Sequence, residues 1–465
     1  MRKFLALIVT PLVILAGCGG SGTKSGTSPP PPPPPPTQVI ATPGPPNVEK
    51  LVVDNGPMGL DTPAVNTAFV TVTVCVPNTN NCQNIDHIEV DNGSVGLRIV
   101  SGATTVDAMG NVIPGTPFNL VNLALPAVPD PNNGNNVLAE CLQFADGFSW
   151  GSVNTADIKL PVSGETATGV IVHVIGAPSA GDPSKATPTC LAPPPINADL
   201  CKGLENTVSC FGANGILGVG PFKLDCQSTS DCVPVAPICS GGNPCYPYYA
   251  TTYFSCTTAA TPSCAQATVH VAQQLPNPVA RFATDNNGVI VELPAVGANG
   301  AAAPWNGSLV FGIGTQGNNA LGSATKLPAD PSSGAISATL NGNTYSFSYL
   351  DSGSNANFFP TTSITSCVGG NAGFLCPQPP GTTVNESATL QGTNGMTLAA
   401  DFTIADADTL FMGSNAAFSN LAGSNYDSTP GAANNTLDLG LAFFYGRNVF
   451  MGIENPNVSA PYYAY

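Results

Sequence analysis

Two four-residue segments carry the side chains best suited to hydrolytic chemistry. Asp91-Asn92-Gly93-Ser94 and Asp351-Ser352-Gly353-Ser354 share the order Asp, small polar, Gly, Ser, and they lie 260 residues apart. Two carboxyl groups held close together cannot both ionise cheaply, so one keeps its proton and the pair can bind a water. The carboxylate then takes a proton from that water while the protonated acid polarises a carbonyl. Such a pair needs no metal, cofactor or side-chain nucleophile.

Each segment follows a predicted β-hairpin. Residues 68–76 alternate in polarity and are rich in β-branched side chains, and residues 85–90 follow after a short loop. Residues 335–340 and 344–350 form a second hairpin across Asn341-Gly342, a strong two-residue turn signal. A hairpin closed by the same pattern in each half of the chain indicates an internal repeat. We therefore expect two similar units, each contributing one aspartate.

The paired segments resemble the D-T/S-G-S/T signatures of the pepsin-like aspartic peptidases. Residues that resemble the flap hairpin of that family are Phe144, Gly147, Phe148 and Trp150. The family's supporting hydrophobic-hydrophobic-Gly elements are matched within residues 215–220 and at Leu439-Gly440. The resemblance covers roughly residues 65–452 and implies an all-β, bilobal, pepsin-like double β-barrel with a pseudo-twofold repeat. The whole chain also resembles a family of bacterial lipoproteins known only as a domain of unknown function.

The resemblance assigns roles within the two segments. Asp91 and Asp351 become the catalytic pair of a candidate aspartic endopeptidase, whose peptide or protein ligand lies in the cleft. The residues that support this pair are Asn92, Gly93, Ser94, Ser352, Gly353 and Ser354. Their glycines allow tight loops, and the hydroxyls of Ser94 and Ser354 are expected to hydrogen-bond the outer carboxylate oxygens.

Two residues depart from the family pattern and support a different class of function. Asn92 stands where the family has a Thr whose hydroxyl bonds to the opposite loop, and Phe144 stands where the flap has a Tyr. Asn92 could donate from its amide, and Trp150 could donate from its indole. The departures favour the alternative of a catalytically inactive pepsin-like binding or surface lipoprotein.

A second alternative is a serine hydrolase. Residues 147–151 match G-x-S-x-G, which would make Ser149 a nucleophile, with Asp157 or Asp225 and then His173 or His270 as partners. That motif requires a strand, a sharp turn and a helix, whereas residues 152–160 predict a strand. Ordinary hydrogen-bonded or surface histidines are the better interpretation of these side chains.

Composition narrows the function classes further. The 465 residues include 12 Lys and Arg against 28 Asp and Glu, a net charge of −16, which argues against a nucleic-acid partner. Only 9% of residues are charged while 43% are hydrophobic, which argues against both a helical bundle and a disordered chain. We expect a monomer of two lobes, residues 48–275 and 276–465.

The N-terminus predicts export and lipid anchoring. Residues 1–17 combine Arg2 and Lys3 with a short apolar run, and the run ends in a lipobox before Cys18. Lipidation of Cys18 would anchor the chain to the bacterial cell envelope, and Gly19 after the anchor favours the outer membrane. Residues 18–47 then form a Gly/Ser and polyproline tether, with eight consecutive prolines from Pro29.

Cysteine usage also fits an oxidising compartment. Fourteen of the 15 cysteines remain after Cys18, and Cys75–Cys82 and Cys367–Cys376 are predicted as local disulfides. The ten from Cys141 to Cys264 cannot be paired from sequence. Most of them fall in residues 177–265, a Pro- and Cys-rich stretch interpreted as a disulfide-pinned loop insertion. Their spacing does not match a zinc site, and no metal is expected.

Overall fold

The computed structural model is mostly β, with 44% strand and 6% helix. The structure describes residues 38–144, 147–177, 204–226, 232, 252–259, 261–424, 435–455 and 459–465. The all-β class is therefore confirmed. Among these residues, no helix has the length and apolar character needed to cross a bilayer.

The strands, in chain order, are β1 (Val48–Val53), β2 (Ala68–Cys75), β3 (Cys82–Asp91), β4 (Val95–Val100), β5 (Thr105–Val106), β6 (Pro129–Asp130), β7 (Asn133–Gln143), β8 (Phe148–Lys159), β9 (Thr166–Ile175), β10 (Gly215–Val219), β11 (Thr252–Thr257), β12 (Cys264–Gln266), β13 (Gly288–Leu293), β14 (Ala301–Ala302), β15 (Trp305–Phe311), β16 (Lys326–Pro328), β17 (Ile336–Leu340), β18 (Asn343–Leu350), β19 (Asn357–Phe358), β20 (Val384–Gln391), β21 (Thr397–Ile404), β22 (Asn415–Ala417), β23 (Ala422–Gly423), β24 (Asp438–Leu439), β25 (Arg447–Gly452) and β26 (Tyr462–Ala464). The α-helices are single turns: α1 (Val208–Phe211), α2 (Ala407–Leu410) and α3 (Leu441–Phe444).

Six strands of the first half close into a barrel. Their order is β9-β4-β10-β3-β2-β8, and the long β8–β9 hairpin joins the two ends. Both predicted hairpins are present, as β2–β3 and as β17–β18. In the second half, seven strands follow the order β21-β20-β17-β18-β24-β19-β23.

A third group of strands connects the two halves. β1, at the start of the folded chain, pairs antiparallel with β15, and the sheet continues through β13, β25, β26 and β16. The β1–β2 pairing joins this group to the barrel. Buried aliphatic side chains from both halves, Val90 and Leu350 among them, pack in one continuous hydrophobic core.

The chain becomes part of the folded body before β1 begins. Gln38 donates from its amide to the backbone oxygens of Leu293 and Arg447, at 3.0 and 2.8 Å. Asn47 is fully buried and donates to the Phe311 backbone oxygen at 2.8 Å. Residues 38–47, assigned by composition to the tether, are thus hydrogen-bonded to strands of the second half.

Both predicted local disulfides are confirmed, Cys75–Cys82 and Cys367–Cys376. Two of the open pairings also close locally, as Cys226–Cys232 and Cys256–Cys264. Residues 177–265 are more than a loop insertion, because they supply β10, which pairs between β3 and β4 in the barrel, and β11, which pairs with β7. The remainder of that stretch, and Cys18 with the signal and tether up to residue 37, lie outside the described residues.

Candidate active site

The two aspartate segments sit at the ends of strands that are supported in the same register. Asp91 ends β3, and the parallel strand β10 places Gly218 opposite it. In the second half, β24 runs parallel to β18 with Leu439 opposite Leu350, and the backbone N–H of Asp351 donates to the Leu439 oxygen at 2.9 Å. Each supporting strand is also paired on its other side with the strand that leaves the segment, β4 or β19.

The glycines of the supporting elements are required by close backbone approach. A Cβ added at Gly218 would lie 2.7 Å from the Val95 backbone nitrogen, and one at Gly440 would overlap the backbone oxygens of Ser354 and Ala356. Only glycine therefore fits at these two positions, and its lack of a side chain lets the supporting elements lie directly against the aspartate segments.

The structure brings the two aspartates together. A Cβ added at Gly93 would lie 2.6 Å from Oδ2 of Asp351, and one at Gly353 would lie 2.6 Å from Oδ1 of Asp91. Each carboxyl group thus rests against the glycine of the opposite segment. Asp91 and Asp351 also interact by a side-chain hydrogen bond, and both are almost fully buried.

Within each segment, the glycine N–H orients its own aspartate. Gly93 donates to Asp91 Oδ1 at 2.6 Å, and Gly353 donates to Asp351 Oδ1 at 2.9 Å. These bonds fix Oδ1 of each carboxyl group with a backbone donor, so no side-chain donor is needed. A hydrogen bond from a backbone N–H to the Asp side chain two residues earlier is a local property of an Asp-x-Gly turn.

Three hydrogen bonds tie the segments to each other. The Ser352 hydroxyl donates to the Val90 backbone oxygen at 2.8 Å and accepts from the Asn92 N–H at 3.1 Å. The Ser352 N–H donates to the side-chain oxygen of Asn92 at 2.6 Å. Asn92 therefore acts across the interface as an acceptor, whereas the sequence led us to expect donation from its amide.

Burial and neighbouring charges make Asp351 hard to ionise. Its pKa is raised well above the usual carboxyl value, first by desolvation and then by the charges of Asp91 and Asp438. Asp351 is accordingly the member of the pair that holds a proton most readily.

Asp438 is a third carboxyl group beside the pair, and the sequence analysis did not identify it. It lies on β24, where burial raises its pKa to about 7, its hydrogen bond from Ser354 opposes that shift, and the Asp91 charge adds to it. The signal was available, because Asp438 is the one charged residue in an otherwise apolar run from Leu437 to Phe444. The sequence analysis identified only Leu439-Gly440 in that run.

The two serines that close the segments behave differently from each other. The Ser354 hydroxyl lies 2.5 Å from Oδ2 of Asp438 and 3.4 Å from Oδ2 of Asp351, so its main acceptor is Asp438. The Ser94 hydroxyl is buried and has no hydrogen-bond partner among the described residues. The expectation that both serines support the outer carboxylate oxygens is therefore met only weakly by Ser354 and is wrong for Ser94.

The predicted flap residues lie on and beside the β7–β8 hairpin. The Phe144 N–H donates to the Gly147 oxygen at 2.7 Å, and its half-buried ring meets the edge of Phe211 at 5.7 Å. Phe148 and Trp150 are buried, and Trp150 packs edge-on against Phe254 with ring centres 4.9 Å apart. Trp150 thus belongs to the hydrophobic packing of this hairpin, and its indole is not offered to solvent.

The serine-hydrolase residues are not arranged around a turn. Ser149 lies within β8, opposite Leu142 of β7, and is fully buried. His173 is also buried, with Nδ1 3.1 Å from Oε2 of Glu140. Asp157 accepts the backbone N–H groups of Asn78 and Gly169. The strand–turn–helix context of a nucleophile elbow is therefore missing at Ser149.

The candidate metal-ligand group and the cavity described next do not include the aspartate pair. Among the described residues, Cys367, Cys376 and Asp408 are close enough to share an ion, but the two cysteines form a disulfide and offer no thiolate. One cavity of about 430 Å³ is lined by Lys223, Lys326 and neighbouring residues, and neither aspartate of the pair lines it.

Comparison with known proteins gives a family without an assigned activity. No curated protein matches the chain. The model of a family described as "Protein of unknown function (DUF3443)" matches residues 43–465, which includes both aspartate segments, both supporting strands and Asp438. The chain therefore belongs to the DUF3443 family.

Proposed function

We propose that the protein is an exported, lipid-anchored aspartic endopeptidase that uses Asp91 and Asp351 to activate a water. The observation that carries the proposal is the reciprocal contact of each carboxyl group with the glycine of the opposite segment. This arrangement places two buried carboxyl groups within hydrogen-bonding reach, one of them held in its protonated form.

A repeated strand order supports a pepsin-like architecture. The series β9-β4-β10-β3-β2-β8 in the first half corresponds to β23-β19-β24-β18-β17-β20 in the second. Parallel and antiparallel neighbours also match along the two series. We propose that these series are related by a pseudo-twofold axis, and that the lobes are residues 48–275 and 276–465.

The proposed reaction follows from the protonation states. Asp91 takes a proton from a water as the water oxygen attacks the carbonyl carbon of a peptide bond. Asp351 donates its proton in a hydrogen bond to the carbonyl oxygen, where negative charge develops. Proton return to the amide nitrogen then allows the C–N bond to break and regenerates the pair.

Hydrolysis of a mixed peptide library by the full-length mature chain, from pH 3 to 8, tests this function. We expect cleavage that pepstatin inhibits and that an Asp351→Asn preparation lacks. Ser149→Ala is the matched control, since this change removes a buried hydroxyl outside the pair and should leave cleavage intact. Cleavage that survives Asp351→Asn but is lost in Ser149→Ala would instead support the serine-hydrolase alternative.

An inactive binding lipoprotein is the second candidate, and Asn92 and Phe144 favour it. Asn92 supplies one cross-segment acceptor, and Phe144 has no hydroxyl to bond over a bound peptide. Saturable binding of pepstatin or of library peptides, without any cleavage across the pH range, would support this candidate over the peptidase.

Lipid anchoring is a separate proposal that stands on the sequence around Cys18. Replacing Cys18 with Ser should abolish lipidation and leave either soluble protein or uncleaved precursor. Metabolic labelling with a palmitate analogue and membrane fractionation provide the measurement. A Cys18→Ser chain that is still processed and still fractionates with the outer membrane would contradict the lipobox assignment.

A further inference from the structure

We propose that Asp438 is a positioning residue for the aspartate pair and, through Ser354, extends the pair's active protonation state to higher pH. The inference rests on the proposed function, since it concerns the pH range over which that pair works. Its starting point is geometric: Ser354 stands between two carboxyl groups, 2.5 Å from Oδ2 of Asp438 and 3.4 Å from Oδ2 of Asp351.

A serine hydroxyl has a single proton to donate. Because Ser354 gives that proton to Asp438, the outer oxygen of Asp351 receives little support for its charged form. Asp351 is therefore better stabilised as the acid, and the same hydroxyl oxygen remains free to accept from it. The bridge thus favours a proton on Asp351 and a charge on Asp438.

The surroundings of Asp438 keep its charge effective. Its second oxygen, Oδ1, is shielded from solvent and has no hydrogen-bond partner among the described residues. Tyr349 lies opposite on β18, and Phe358 lies opposite on β19. A charge on a partly buried carboxyl group with one shielded oxygen is screened less than a surface charge, so it acts on the carboxyl groups nearby.

The titratable groups facing Asp438 are Asp91, Asp351, Tyr349 and Tyr463. Burial raises the pKa of Tyr463 well above its usual value, and the charges of Asp351 and Asp438 raise it further, so this tyrosine stays neutral in the working range. Among the described residues, no ion pair involves Asp351 or Asp438. The proton balance of the site is therefore set by three carboxyl groups.

The first half shows what the site would be without this residue. Ile216 on β10 lies opposite Glu89, two residues before Asp91, and Asp438 on β24 lies opposite Tyr349, two residues before Asp351. Ile216 thus holds the register position on β10 that Asp438 holds on β24, and in this half the Ser94 hydroxyl has no hydrogen-bond partner among the described residues. An Asp438→Ile change gives the second half the side chain that the first half carries.

The consequence for pH dependence has a definite sign. A negative charge on Asp438 makes it harder to remove the last proton of the pair, so the half-protonated pair persists to higher pH. Removing Asp438 should lower the pH at which that proton leaves. At acid pH, where Asp438 is itself protonated, its removal should change little.

The test compares the pH profile of kcat/KM for the wild type with those of Asp438→Asn and Asp438→Ile. For both variants we expect the alkaline limb to move to lower pH by on the order of one unit, while the acid limb stays in place. Asp401→Asn, which changes an exposed carboxyl group on β21, is the matched control and should move neither limb. An alkaline limb that is unchanged in the folded Asp438 variants would overturn the inference.

A second measurement separates this inference from the proposed function. Carbon-13 NMR of chains labelled at the aspartate carboxyl carbons reports the titration of the pair whether or not any peptide is cleaved. A downward shift of the last titration of the pair in Asp438→Ile would support the coupling even in a protein without activity. If no titration of the pair depends on Asp438, the inference fails while the peptidase proposal remains open.

If both Asp438 substitutions prevent folding, carboxyl titrations of the wild type still test the inference. Its Asp91, Asp351 and Asp438 carboxyl signals should titrate as one coupled set, each signal responding to more than one proton. Independent single titrations of Asp438 and of the pair would overturn the inference.

Discussion

The segments around Asp91 and Asp351 share a sequence pattern and a backbone register, yet their side chains work differently. In the second segment, Ser352 makes two hydrogen bonds to the first segment and Ser354 reaches Asp438. In the first segment, Asn92 provides one acceptor and the Ser94 hydroxyl has no partner among the described residues. The comparison teaches that two segments with one sequence pattern and one backbone register can differ in the hydrogen bonds that their side chains make.

The largest expected effect tests whether the two segments form one catalytic unit. Asp91→Asn and Asp351→Asn should each lower hydrolysis by at least about 10³-fold, and the double variant should be no worse, because groups that act as a unit do not lose activity additively. Rates on the best library peptide give the measurement. Unequal single losses that multiply in the double variant would show that the aspartates act separately.

The next effect tests the reciprocal packing of the glycines. Gly93→Ala and Gly353→Ala should each displace the opposite carboxyl group, since the new Cβ would come within 2.6 Å of it. A displacement near 1 Å is expected to reduce kcat by about 10²-fold. Gly297→Ala, where nothing lies within 4 Å of the new Cβ, is the control and should keep full activity. Equal activity in all three variants would contradict the described contact.

A stability measurement then sharpens the difference between Ser352 and Asn92. Ser352→Ala leaves the Val90 oxygen and the Asn92 N–H without their partner, and should lower the free energy of unfolding by about 2–3 kcal/mol. Asn92→Ala removes one acceptor and should cost about 1–2 kcal/mol. Urea unfolding of both variants gives the comparison, and a larger loss for Asn92→Ala would reverse the asymmetry inferred here.

The smallest effect concerns the two closing serines. Ser94→Ala should change the free energy of unfolding by less than about 0.5 kcal/mol, because the buried hydroxyl makes no hydrogen bond to the described residues. Ser354→Ala should cost about 1 kcal/mol, since it leaves the partly buried carboxyl of Asp438 without its donor. Thermal unfolding of both variants at one pH measures the two losses of stability. Equal losses would show that the two serines do not differ in this way.

The hairpins and local disulfides could be predicted because their information is local. Alternating β-branched residues give β2, Asn341-Gly342 gives the turn between β17 and β18, and short turn-rich loops join Cys75 to Cys82 and Cys367 to Cys376. Residues 177–265 were harder: the motif within residues 215–220 was recognised, but its place as β10 between β3 and β4, which lie more than a hundred residues earlier, was not. Pairing at that distance leaves no periodic signal within the strand itself.

By itself, the sequence determined the strand class, the two hairpins, two disulfides and the two aspartate segments, because each depends on residues that are neighbours in the chain. The tertiary structure alone decided that Asp438 joins the pair, that Ser354 favours Asp438 over Asp351, that Asn92 accepts a hydrogen bond, and that Trp150 is buried. The physical reason is that protonation and hydrogen-bond direction depend on desolvation and on charges brought from distant parts of the chain, and these arise only when the strands have packed.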